Sequence, residues 1–165
     1  ILTPLATTFE EKSIDMHEIE MAIFSYTNDE RKKAGKSCLM WDDKLADIAR
    51  DHSQDMINNN YFSHDNLRGE DPPARAKRHG YPVRKYLGLG WYSDGIAENI
   101  GKMPTGNVIG VGYVGRDENE IAYAHVKSWM QCPDHRSNIL EASYDKLGVG
   151  VAYGGQCYIA TQNFW

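Results

Sequence analysis

An imidazole, a carboxylate and a thiol carry the chemistry that local setting picks out in this chain. Glu98 lies in Ile96-Ala97-Glu98-Asn99-Ile100, and His135 follows Cys132-Pro133-Asp134. If residues 96 to 100 are extended, Glu98 shares a face with Ile96 and Ile100, so its carboxylate is partly desolvated and must be paired, protonated or hydrogen-bonded. Capping a turn is the plainer use of the same residue. Pro133 suits the first turn of a helix, which puts His135 near the positive end of a helix dipole. Imidazolium is disfavoured there, leaving a neutral ring able to act as base or ligand, although Asp134 pulls the other way. Cys132 falls at the N-cap of that helix, a setting that favours thiolate and could make a nucleophile; an inert buried thiol is the ordinary alternative.

Other patterns carry less. Gly110-Val111-Gly112-Tyr113-Val114-Gly115 spells GxGxxG, but the next helical pattern starts several residues later and too little chain follows for a dinucleotide fold. It reads as a glycine-rich loop. Ser63-His64-Asp65 is no catalytic triad, because adjacent side chains point apart. His52 and His125 fall on apolar helix faces and read as packed histidines. His79 reads as a C-terminal cap partner before Gly80, and His17 as a surface residue.

The elements that must position these groups follow from periodicity. Met16, Ile19, Ile23 and Tyr26 give one helical face from Asp15 to about Gly35, where Arg31-Lys32-Lys33 complement the helix dipole. Asp42 is an N-cap for a second helix carrying Leu45, Ile48, Ala49, His52 and Met56, which Asn58-Asn59-Asn60 ends. A third helix runs from Pro72 to His79. Between Tyr81 and Asn119 the glycine-rich chain reads mostly as loop, with one strand near Ile96 to Ile100. A fourth helix covers Glu120 to Gln131, and a short one opens at Pro133. Leu147, Val149, Val151 and Tyr153 alternate with Gly148, Gly150 and Ala152, then Gly154-Gly155 turns the chain into Cys157, Ile159 and Thr161. One small-residue face on that hairpin suits a helix lying close against it. Helices first and strands last, without βα alternation, indicate an α+β fold.

At 165 residues with 41% apolar side chains, one domain is expected over residues 14–165, preceded by an arm or linker at 1–13. The net charge of −5 and the lack of long basic runs argue against a nucleic-acid partner. No stretch is apolar enough for a membrane span, and no signal segment is visible; a start at Ile1 reads as a trimmed product whose signal or anchor has been removed. Cys38, Cys132 and Cys157 are odd in number, too few for a disulfide scaffold, and leave their pairing open.

Five blocks together resemble the CAP superfamily of cysteine-rich secretory, antigen 5 and pathogenesis-related proteins, especially its prokaryotic SCP-like members. They are Trp41-Asp42-Asp43-Lys44-Leu45, Tyr61 to His64, Ala97 to Ile100, Trp129 with His135-Arg136-Ser137-Asn138-Ile139-Leu140, and Leu147 to Ala152. The resemblance implies a three-layer α-β-α sandwich with a central, mainly antiparallel sheet, an extracellular or cell-envelope location, and a cleft holding His64, Glu98 and His135. Where eukaryotic members place a second glutamate, this chain has Cys132; Ala97 and Asp134 stand where the family often has glycine. The implied function is binding of a divalent metal or small polar ligand, or an extracellular interaction with a ligand or protein that the sequence does not name. His64 and His135 are the candidate metal ligands, with Glu98 as a third. No cofactor is obligatory, though a divalent metal such as zinc suits the donors. One alternative is a hydrolase, peptidase or esterase, using metal-bound water or Cys132 at the same cleft. Another is lipid or sterol binding elsewhere on the fold.

Overall fold

The structure, a computed structural model, describes residues 13–165, so most of the expected N-terminal arm at 1–13 lies outside the described residues. Helix α1 (Met16–Lys33) opens with the Asp15 carboxylate accepting from the His17 backbone N–H. A short strand β1 (Met40–Trp41) leads into α2 (Asp43–Asn58), where the Asp42 side chain caps the Leu45 N–H at 2.9 Å. Helix α3 (Pro72–Arg78) has Pro at its first turn and Asp71 as its cap. The chain ends with α4 (Glu118–Gln131), α5 (Pro133–Leu140) and a long two-stranded hairpin.

The region read as mostly loop is instead rich in strands. Two ribbons, β2 (Arg84–Gly88) with β3 (Trp91–Asp94) and β5 (Gly106–Val108) with β6 (Gly112–Val114), flank β4 (Ala97–Pro104). Glycines obscured them by breaking the apolar alternation, yet those glycines make the turns: Gly88, Gly90, Gly110 and Gly112 all have positive φ. The GxGxxG segment is thus a β-hairpin turn, with α4 starting only at Glu118. The expected strand at 96–100 proves longer, running to Pro104.

Strands β7 (Lys146–Tyr153) and β8 (Cys157–Phe164) form the C-terminal hairpin. Its turn centres on Gly155-Gln156, one residue later than expected, because Gly154 and Cys157 face each other and the Gly154 N–H donates to the Cys157 carbonyl. The main sheet has the order β1-β7-β8-β4; only the β1–β7 pair is parallel. Helices α1, α4 and α5 cover one face and α2 the other, giving the three-layer α-β-α sandwich. The larger core, under α1 and α4, gathers Ile19, Ile23, Ile121, Trp129, Leu147, Val149 and Phe164.

Close approach of α2 to β7 depends on the small-residue face. A Cβ on Gly148 would fall 2.1 Å from the Ala46 backbone nitrogen, and one on Gly150 would fall 2.0 Å from that of Arg50. Neither neighbour can move without shifting the helix. Arg31 does more than balance a dipole, since it is fully buried and donates to the carbonyls of Ser37, Ile139 and Glu141. Those bonds pin the end of α1 to the end of α5, which carries His135.

Gly150→Ala should destabilise the domain by about 3 kcal/mol or more, the upper range for forcing a methyl into a packed interior. Urea unfolding checks this, with Ala152→Gly, a substitution on the same face that adds no atom, costing less.

Candidate functional site

Strand β4 lies at the edge of the main sheet, so side chains approaching from either face can meet along its outer side. Glu98 points to the α2 side with Ile96 and Ile100. Its carboxylate side chain is 1% exposed, as the local pattern required. Two groups compensate it. The guanidinium of Arg75, on α3, donates through Nη2 to Glu98 Oε2, and the His64 ring donates from Nδ1 to Glu98 Oε1 at 2.9 Å. Both oxygens are therefore engaged, and His64 is turned so that its other nitrogen, Nε2, faces away from the carboxylate.

Arg75 organises this arrangement and was not singled out from the sequence. It is 2% exposed, and its Nη1 also donates to the backbone carbonyls of His64, at 2.5 Å, and Glu70, at 3.1 Å. One side chain thus fixes the carboxylate and the backbone of the loop that presents His64. The sequence signal was weak: an arginine inside a seven-residue helix, next to Ala76, whose position faces inward. His52 was read as a packed histidine and is one, fully buried. It also has a polar role, because its Nε2 N–H donates to the Ser63 carbonyl at 3.0 Å and lies 3.8 Å from Glu98 Oε1.

His135 reaches the same edge from the opposite layer. Two asparagines fasten α5 to β4 there. Asn138 donates to the Asn99 side chain at 2.9 Å and the Glu98 carbonyl at 3.3 Å, and Asn99 donates to the His135 carbonyl at 3.1 Å. The chain continues inward, since Asn99 also bonds Gln162, whose amide donates to Thr27 on α1. A pocket of about 210 Å³ along this edge is lined by Phe62, Ile100, Lys102, Trp129 and His135. Fully buried His125 lies beneath it against Trp129 and Gly101, and burial takes its pKa down to about 3.

The two histidines are pushed in opposite directions. The hydrogen bond to Glu98 raises His64 above the ordinary value of 6.5, with Arg75 opposing and Asp65 assisting weakly. Burial lowers His135, and the charge of His64 lowers it further, while Asp134 opposes. The direction expected for His135 is met, with burial rather than the helix end as its first cause. His64 is exposed and His135 half-buried, and both belong to segments bonded to β4, His64 through Glu98 and His135 through Asn99 and Asn138.

Metal ligation fits these groups only partly. Glu98, the expected third donor, is committed to Arg75 and His64, and among the described residues no group of three or more His, Cys, Asp or Glu side chains is arranged to hold a metal ion. Cys132 sits at the N-cap position of α5, as expected, but its side chain makes no capping bond there. All three cysteines are free thiols. A separate groove of about 570 Å³ runs between α1 and α4, with Tyr26, Tyr123, Val126 and Met130 among its walls. No described helix is long and apolar enough to cross a membrane.

With this geometry, the chain belongs to the CAP, or cysteine-rich secretory protein, family, whose model matches residues 24–164. It is 31% identical over 158 residues to the uncharacterized protein YkwD of Bacillus subtilis (strain 168), covering 96% of this chain and 50% of that one. It thus spans about half the length of that relative. A Bacillus anthracis str. Ames extracellular protein containing a SCP domain is similar with a TM-score of 0.68 and 27% identity, over 93% of this chain and 44% of that one. An outer surface protein from Borrelia burgdorferi has a TM-score of 0.67 at 21% identity, covering 93% and 96% of the two chains, and shares the fold.

Glu98→Gln should cost about 3–5 kcal/mol, because it leaves the buried Arg75 cation without a counter-charge. Chemical denaturation measures this, and Arg75→Met/Glu98→Gln should lose less than the sum of the two single substitutions.

Proposed function

We propose that this domain is an extracellular binding module whose cleft captures a small polar ligand between His64 and His135. The observation that carries the reading is the Arg75–Glu98–His64 arrangement at the edge of β4. A buried carboxylate, held from behind by a buried arginine, orients an exposed imidazole toward solvent, and the helix that carries the half-buried His135 is bonded to the same strand. A purely structural role would not need one ring to remain exposed. Because the two rings are driven apart in basicity, a pH range exists in which His64 is a cationic donor and His135 is neutral. That pairing suits a ligand with a carboxylate or another acceptor group. The extracellular setting is supported by relatives described as an extracellular protein and an outer surface protein.

A divalent metal such as zinc is the other occupant these donors suit, and there the fit is to a labile ion. Two imidazoles would hold it with water completing the shell, and Glu98 would orient His64 rather than ligate. Since His64 must lose its proton to bind a cation, zinc affinity should rise with pH through the titration of His64, the reverse of the carboxylate case.

A hydrolase at this cleft would use His135 and not Glu98 as its base, since both Glu98 oxygens already accept hydrogen bonds, from Arg75 and His64. Lipid binding finds its apolar walls in the groove between α1 and α4, away from the histidines.

Calorimetric titration of acetate and, separately, of zinc into wild type and His64→Ala/His135→Ala tests the proposal. Acetate heat should be present near pH 6 and fade toward about pH 9 as His64 loses its charge. Zinc heat should do the opposite, and both should vanish in the double variant. Equal heats from the two proteins would remove the cleft as the binding site.

A further inference from the structure

Five of the exposed large apolar side chains among the described residues fall on one hairpin, β2 with β3: Tyr86, Leu87, Leu89, Trp91 and Tyr92. None of them belongs to an apolar core. Single exposed apolar residues are ordinary on a protein surface, but such a cluster marks a surface that is covered in use. The apex is the clearest case. Leu89 is 97% exposed and has φ 51°, in the left-handed region; among the described residues the only other non-glycine there is Asn60, a type that tolerates it. Glycine or asparagine would make this turn with less strain, so the leucine serves neither the turn nor the core.

The hairpin is graded in polarity along its length. From Tyr86 to Ser93 no residue is charged. The charges stand at the base and are paired, Arg84 with Asp94 at 2.7 Å and Lys85 with Asp145 at 3.0 Å. Tyr86 and Tyr92 face each other across the ribbon with ring centroids 5.2 Å apart, while Trp91, next along β3, takes the opposite face. The Tyr86 hydroxyl accepts from the Gly90 N–H at 3.3 Å, so that amide of the turn has a partner within the hairpin. An aliphatic apex, an aromatic girdle and ion pairs at the base follow the order of polarity met from the acyl boundary of a bilayer out through its headgroups. The ribbon extends roughly 10 Å from Tyr86 to Leu89, close to the about 5–10 Å that interfacial elements enter.

Other occupants fit less well. A sugar-stacking platform would gather its rings on one flat face; here they occupy both faces, and the two tyrosines are inclined at 51°. A second copy of the chain would need about 20–30 residues a side for a stable contact, far more than this tip offers. We infer that the β2–β3 tip inserts into the interface of a lipid bilayer and anchors the domain peripherally, through apolar burial rather than charge. With the base cations already paired and a net charge of −5, anionic lipid adds no attraction. The surface is separate from the His64–His135 cleft. It is also separate from the groove between α1 and α4, whose Lys127 and Gln131 bond the β5–β6 turn beyond the other end of β4.

Co-sedimentation with sucrose-loaded phosphatidylcholine vesicles, at low and high salt and with or without phosphatidylserine, tests this on wild type and on Leu89→Ser/Trp91→Ser, with folding verified by circular dichroism. Wild type should partition onto pure phosphatidylcholine, with no loss in high salt and no gain from phosphatidylserine, and the double variant should bind roughly tenfold or more weakly. Tryptophan emission should shift to the blue on vesicles, a shift that Trp91→Phe removes while keeping binding. His64→Ala/His135→Ala should bind vesicles as wild type does, which keeps failure here separate from failure of the cleft proposal. No binding by wild type, or equal binding by the double variant, would overturn the inference. So would binding that requires phosphatidylserine and disappears in high salt. Tip-dependent self-association in sedimentation velocity, or tip-dependent heat with chitotetraose, in place of vesicle binding would also overturn it, assigning the surface to a second copy or to a glycan.

Discussion

The arrangement at the edge of β4 hangs on one buried ion pair, Arg75 with Glu98. Each side chain is nearly inaccessible to water, so each charge would be strongly unfavourable alone, and together they hold parts of the chain 23 residues apart in sequence in a fixed relation. Arg75 extends the constraint by gripping the carbonyls of His64 and Glu70, which shapes the loop between α2 and α3. Glu98 extends it by holding the His64 ring. A pair of this kind contributes little net stability compared with apolar packing of the same volume. What it supplies is geometry, since the loop has few apolar contacts of its own to position a histidine.

The opposite layer meets this pair through amides. Asn99 and Asn138 join β4 to α5 and so bring His135 to the edge where His64 stands, while Arg31 ties α5 back to α1. The two imidazoles therefore approach from independent supports, one charged and one neutral in its hydrogen bonding. That difference in support is the origin of their difference in basicity: His64 has a carboxylate against it, and His135 has burial and a cationic neighbour.

Much of this was legible in the amino-acid order. Helices with clear caps, Asp15, Asp42 and Asp71, were read close to their true starts, and the alternation of Gly148, Gly150 and Ala152 foretold a helix pressed on that face. The hairpins around β4 were not, because their glycines destroy the period-two signal that marks a strand while serving the turns. At the site, His64 was marked by the family resemblance alone, while Glu98 and His135 stood out because a carboxylate on an apolar face and a histidine beside a helix start are conspicuous locally. Arg75 and Asn138 did not. Their importance comes from partners distant in sequence, Glu98 and Asn99, and no local pattern encodes such a pairing. His52 shows the intermediate case, correctly placed on a buried face yet serving as a polar buttress as well.

Two imidazoles at one edge are shifted in opposite directions from their ordinary pKa by different surroundings. Imidazole nitrogen NMR across pH 4 to about 9 tests it most directly. The account predicts that His64 titrates above 6.5 and His135 below it, with His64 carrying its Nδ1 proton throughout against Glu98. Two rings titrating together at the ordinary value, with no preference for that tautomer of His64, would contradict it.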